Sequence, residues 1–244
     1  MASLDASMMN PRPVSPRLLR RIVAVGLFLI AATLAIGLVS RLYGDRLILA
    51  GHTKDQTLRE VVIGGDVITV PSNLIRYSAQ RREGVAERLD LYAHWPTLSG
   101  YSDAARDAFN GLTAKPEIVF LSFEERRTSR DMAGRLEPIY RKLTEGAPAI
   151  DTATGLEHTR LSEKSGYMNE ELLVGARADG SAPFVARCLL EADDSASVAP
   201  CEYDVFVGRE LSMMVRFPRE MLRDWDGFER TIAAFANGLV AAQP

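Results

Sequence analysis

The stretch PFVARCLLEADDSASVAPCEYDVFVGRELSMMVRF, residues 183–217, reads as three strands joined by two turns, and the rest of the chain can be built outward from it. Phe184, Ala186, Cys188 and Leu190 alternate along one face of a strand, and Cys201, Tyr203, Val205 and Val207 alternate along the next. Asp193, Asp194 and Ser195 stand between them as a turn. Folded symmetrically, this hairpin sets Cys188 opposite Cys201, Ala186 opposite Tyr203 and Phe184 opposite Val205, all on the apolar side. A turn at Gly208, Arg209 and Glu210 then brings Val207 to Leu211, Val205 to Met213 and Tyr203 to Val215, so the apolar face continues. Connections this short join antiparallel neighbours.

Cys188 and Cys201 are the whole thiol inventory. Facing each other on a buried side, they are expected to form a structural disulfide, provided the domain lies in an oxidising compartment. Two free buried thiols are the alternative. A redox-active pair would call for the C-x-x-C spacing that lowers a thiol's pKa, and that spacing is missing.

Upstream of the hairpin, strands are expected at about 156–162 and 170–177, after a loop from Gly146 to Gly155. Downstream, Trp225, Phe228, Ile232, Phe235 and Leu239 recur three and four apart, a helical stripe that needs an apolar cover. Two β-branched runs around Gly64 and Gly65 predict a hairpin. A strand is expected over 87–95, with Leu89, Leu91, Ala93 and Trp95 buried and Asp90, Tyr92 and His94 forming a polar outer face. Ser102 and Asp103 open a helix to about Leu112, a strand spans 118–123, and Ser129 with Asp131 caps a helix toward Leu143 that Pro138 should kink or restart. The expected fold is α+β, with a large antiparallel sheet, helices packed on one face, and a single N-terminal transmembrane helix before it.

That last element rests on nineteen uncharged residues from Ile22 to Ser40, bounded by Arg20, Arg21 and Arg41. As a helix they reach about 28 Å, close to the hydrocarbon thickness of a bilayer. Arg12, Arg17, Arg20 and Arg21 precede the run against Asp5 alone, and the flank beyond is nearly balanced, so the N-terminus is expected in the cytosol. A cleavable signal peptide is the competing reading, and both export the bulk of the chain. Ala31, Thr33, Ala35 and Gly37 repeat small residues at a spacing of four, which leaves a homodimer possible. The expected layout is a disordered cytosolic tail at 1–16, an anchor with basic flanks at 17–41, a connector at 42–58 and an exported domain at 59–244. Arginine outnumbers lysine and no N-x-S/T sequon occurs, pointing to a bacterial envelope: a single-pass protein of the cell inner membrane with a periplasmic domain.

From Leu42 onward the chain holds 24 Lys and Arg against 31 Asp and Glu, a net charge of −7, which argues against nucleic acid as a partner. G-x-S-x-G, S-x-x-K, H-E-x-x-H and phosphate-loop signatures are missing, so no catalytic residue, metal ligand or cofactor is assigned. His52, His94 and His158 lie far apart. His94 shares a strand face with Asp90 and Tyr92, but at about 7 Å between alternate residues these cannot touch as a catalytic set. Glu191, Asp193 and Asp194 lack the regular spacing of a calcium loop. The unusual segment is 71–84, which puts Arg76, Tyr77, Arg81 and Arg82 into one long connection. Arg with Tyr is a typical interface pairing, and those four residues are the expected binding surface. The preferred function is non-catalytic binding of a protein partner or envelope component. A ligand-sensing accessory domain, which would need an apolar pocket under that loop, and a hydrolase with a dispersed site are the alternatives.

Overall fold

The computed structural model describes residues 15–49, 51–113, 115–190 and 197–240, and the chain divides into two compact units, Met1–Gly51 and His52–Pro244. The expected tail at 1–16 falls almost wholly, and the acidic turn at Glu191, Asp193 and Asp194 wholly, outside the described residues.

The first unit is a single helix, α1, Pro16–Ile48. Its stretch Pro16–Leu38 has a mean hydropathy of 2.3 and is long and apolar enough to cross a membrane. The helix continues past Arg41 without interruption.

The second unit opens with β1 (Leu58–Ile63) and β2 (Asp66–Pro71), a hairpin closed by Gly64 and Gly65 with Ile63 opposite Asp66. Gly64 sits at φ +57°, where a side chain would be strained. The short β3, Gly84–Val85, adds to β1 in parallel and completes a three-stranded sheet. Next come β4 (Arg88–His94), the one-turn α2 (Arg106–Phe109) and β5 (Ile118–Glu125). Asp131 caps α3 (Met132–Arg135) by accepting from the Gly134 amide; a π-helical turn at Leu136–Tyr140, where Pro138 disrupts the pattern, leads into α4 (Arg141–Leu143). The strands β6 (Thr144–Ile150), β7 (Glu157–Leu161), β8 (Glu170–Gly175), β9 (Phe184–Leu189), β10 (Cys201–Val207) and β11 (Leu211–Phe217) follow, and α5 (Trp225–Leu239) ends the described chain. The fold is α+β. Eight strands form one antiparallel sheet in the order β4-β5-β11-β10-β9-β8-β7-β6.

The meander has the expected register: Cys188 faces Cys201, and Val207, Val205 and Tyr203 face Leu211, Met213 and Val215. Cys188 and Cys201 are disulfide-bonded. β9 and β10 pair only at Cys201–Cys188 and Glu202–Arg187, so the more distant pairs expected from symmetry do not form. The apolar stripe of α5 finds its cover on this sheet. Phe228 packs 4.7 Å from the Phe217 ring and 5.1 Å from that of Trp95, and Ile232 and Ala236 are fully buried. On the Asp204 side of β10, Arg135 pairs with Asp204 while Met132, Leu136 and Tyr140 are buried.

Three expectations are corrected. The loop expected from Gly146 holds the strand β6, whose sequence TEGAPAI has no alternating apolar face because it is an exposed edge, paired only to β7 and irregular between Glu145 and Ala149. The helix expected from Ser102 to Leu112 shrinks to one turn. Ser102 Oγ does accept from the Ala105 amide, but Gly111 takes φ +67° and only Ala108 is buried, so nothing rewards elongation. Finally, the outer face of β4 is no solvated surface: Asp90 and Tyr92 are buried.

A lock joins the two sheets. The buried Asp66 carboxylate at the start of β2 accepts hydrogen bonds from the Arg209 and Glu210 amides in the β10–β11 turn. Glu210 returns the contact by accepting from the Gly65 amide at 2.9 Å. At Gly208, φ is +61° and a Cβ would lie 2.8 Å from Asp66, so both the turn and the close approach demand glycine.

Candidate functional site

The 71–84 segment is not a loose loop. It folds as two 3-10 turns, Ser72–Leu74 and Ser78–Gln80, and is strapped to the outer edge of β4. Ile75 bridges Leu91, the Arg76 amide donates to the Asp90 carbonyl at 2.9 Å, and Gln80 imitates a paired strand residue by accepting from the Asp90 amide and donating to its carboxylate. Arg81 closes the loop on itself, donating to the carbonyls of Ile75 and Arg76. Arg76, Tyr77 and Arg82 are left exposed.

Arg76 is held in place although exposed. Its guanidinium lies 4.7 Å from the centre of the Phe120 ring and 5.0 Å from that of Tyr77, and among the described residues no carboxylate pairs with it. Phe120 stands directly opposite Tyr92 on the neighbouring strand, so the β4–β5 register places the ring under the arginine. Beside Arg76 opens a cleft of about 350 Å³, walled by Tyr92, Phe109, Ile118, Phe120 and Val198 and edged by His52, Asn110 and Glu117.

An aromatic nest forms one wall. His52 stacks on Tyr101 at 4.6 Å, Phe109 meets Tyr92 edge-on at 4.7 Å, and His52 Nδ1 shares a 2.9 Å hydrogen bond with the Tyr92 hydroxyl. Burial pushes the Tyr92 phenol up to about 12, so it stays neutral. Burial, followed by the positive charge of Arg81, lowers the His52 pKa despite a hydrogen bond with Asn110. Sequence reasoning missed His52, Phe109 and Phe120. Their strands and turn were readable, but which elements would meet was not, and only the pairing of Tyr92 with Phe120 assembles the wall.

Asp90, Tyr92 and His94, which share a strand face, go to separate partners. Asp90 accepts from Ser122, Gln80 and Arg88; Tyr92 bonds His52; His94 bonds Glu117 at 3.3 Å. Burial alone would raise the Asp90 pKa, but its hydrogen-bond donors outweigh burial and hold it low. His158 does meet a carboxylate, Glu171, at 3.1 Å, and Arg219 donates to the same carboxylate, beside a second cleft of about 460 Å³. Its other ring nitrogen, Nε2, is enclosed and has no hydrogen-bond partner among the described residues. Under the 71–84 segment lies a hollow of about 540 Å³ lined by Gln80, Arg82, Glu87 and Arg88 as well as Val61 and Leu89, a mixed surface rather than an apolar pocket. Among the described residues no group of three or more His, Cys, Asp and Glu could hold a metal ion.

No protein-family model matches the chain, and no curated protein matches its sequence. Among solved structures it is similar to an immunity protein of the Stenotrophomonas maltophilia type IV secretion system. The TM-score is 0.51 at 14% sequence identity, covering 78% of this chain and 96% of that one. The likeness is one of fold.

Proposed function

We propose that this chain is a single-pass protein of the cell inner membrane, anchored through Ile22 to Ser40 with its N-terminus in the cytosol, whose periplasmic domain binds a protein partner without catalysing a reaction on it. The observation that carries the reading is Arg76: an exposed guanidinium against two rings, with no acidic partner among the described residues, beside a cleft with an apolar wall. Exposed arginine and tyrosine next to such a recess are the residues that dominate binding energy at interfaces. The fold likeness to an immunity protein supports a more specific reading, in which the protein partner is a toxic one and binding protects the cell that makes this chain.

A photo-reactive amino acid in place of Tyr77, irradiated in living cells, tests this. One discrete protein adduct is expected, and Arg76→Ala should remove it. In a separate co-purification without the cross-linker, substituting Arg76 and Tyr77 together by Ala should abolish recovery of that protein while changing stability by less than about 0.5 kcal/mol, since neither side chain is in the core. Adducts to lipid alone, or a double variant that captures the same protein as before, would overturn the reading. The immunity role has its own test: a strain lacking the protein should be outgrown by its parent in mixed culture, and equal survival rules that role out.

A further inference from the structure

Resting on the partner-binding reading, we infer that the cleft beside Arg76 recognises an acidic side chain standing next to a bulky apolar one on the partner. Four half-buried arginines of this domain show by contrast what Arg76 lacks among the described residues, although Arg126, over the Phe206 ring, has no ion pair there either. Arg135 pairs with Asp204, Arg141 with Glu157, Arg177 with Asp226 and Glu229, and Arg187 with Glu170 and Glu202. Arg76 instead lies against two uncharged rings, 4.7 Å from the centre of Phe120 and 5.0 Å from that of Tyr77. Ring contacts take up none of the guanidinium's hydrogen-bonding capacity for oxygen acceptors, which a carboxylate can engage bidentately. Tyr92, Phe109, Ile118 and Phe120 wall the cleft with uncharged surface that suits an apolar side chain, and Glu117 at its edge is engaged by His94. At about 350 Å³ the space sits at the small end of ligand pockets, which run roughly 300–1,000 Å³, and suits a single side chain rather than a cofactor.

The test uses the full chain in lipid nanodiscs, titrated by calorimetry with three blocked tetrapeptides: one carrying aspartate beside phenylalanine, one with asparagine for the aspartate, and one with alanine for the phenylalanine. The first should bind at least tenfold more tightly than either of the others. Arg76→Gln should erase the preference for aspartate over asparagine, and Phe120→Leu should weaken the aspartate peptide while leaving the melting transition near that of the parent. Equal binding of the aspartate and asparagine peptides, or an unchanged preference in a folded Arg76→Gln variant, overturns the inference. So does free phenylpropionate binding as tightly as the peptide, which would mark a small-molecule site. If Tyr77 cross-links a protein that Arg76→Gln still captures, partner binding stands and this recognition chemistry falls. If peptides bind as expected but no protein is ever captured, the chemistry stands and the partner reading falls.

Discussion

At the scale of single residues, the site depends on side chains whose meaning is set by what folds against them. Arg76 and Tyr77 could be singled out from sequence because they crowd a long polar connection. His52 could not, since a histidine in a connector carries no signal until Tyr92 and Tyr101 enclose it. Its environment makes a pH prediction. The folded state holds His52 below its ordinary value of 6.5, so the unfolded chain binds a proton that the folded chain resists. Its contribution to stability therefore falls as pH drops through 6.5. Urea unfolding at pH 7.5 and 5.5 should show His52→Phe, which keeps the stacking, losing less stability on acidification than the parent protein. An identical loss in both would mean that the imidazole titrates freely.

At the scale of elements, alternation made β7 to β11 legible because each has a buried face, and β6 illegible because it has none. The disulfide followed from the same alternation. Closing 13 residues, it should contribute on the order of 3 kcal/mol, and unfolded protein prepared without reductant should resist alkylation at both positions. Labelling of either thiol contradicts it. The lock between hairpins left no trace in the sequence, because Asp66 and Glu210 are far apart in the chain and meet only when the two turns come together. Asp66→Ala strips the acceptor from two amides of the β10–β11 turn and should cost about 2 to 3 kcal/mol, seen as a melting temperature several degrees lower. Gly208→Ala should also destabilise, through its positive φ and its clash with Asp66.

At the scale of the molecule, the charge asymmetry around the apolar run makes orientation testable: alkaline phosphatase fused to the C-terminus should be active in intact cells, and activity only from a cytosolic reporter would reverse the topology. The fold class was legible because hydrophobic periodicity reports which face is buried. The candidate cleft was not, because periodicity carries no information on which strands become neighbours. The strap over β4 has a consequence for how copies of this chain can associate. Ile75 and Gln80 occupy one border of the eight-stranded sheet, whereas at the opposite border no described strand pairs with the outer side of β6. A sheet with two bare borders can recruit copies end on end into a fibre. With one border blocked, copies can join through that sheet only β6 to β6, across a two-fold axis, and the join uses up the last vacancy on each side. Growth by that route stops at two, so the border that could seed a fibre instead ends it.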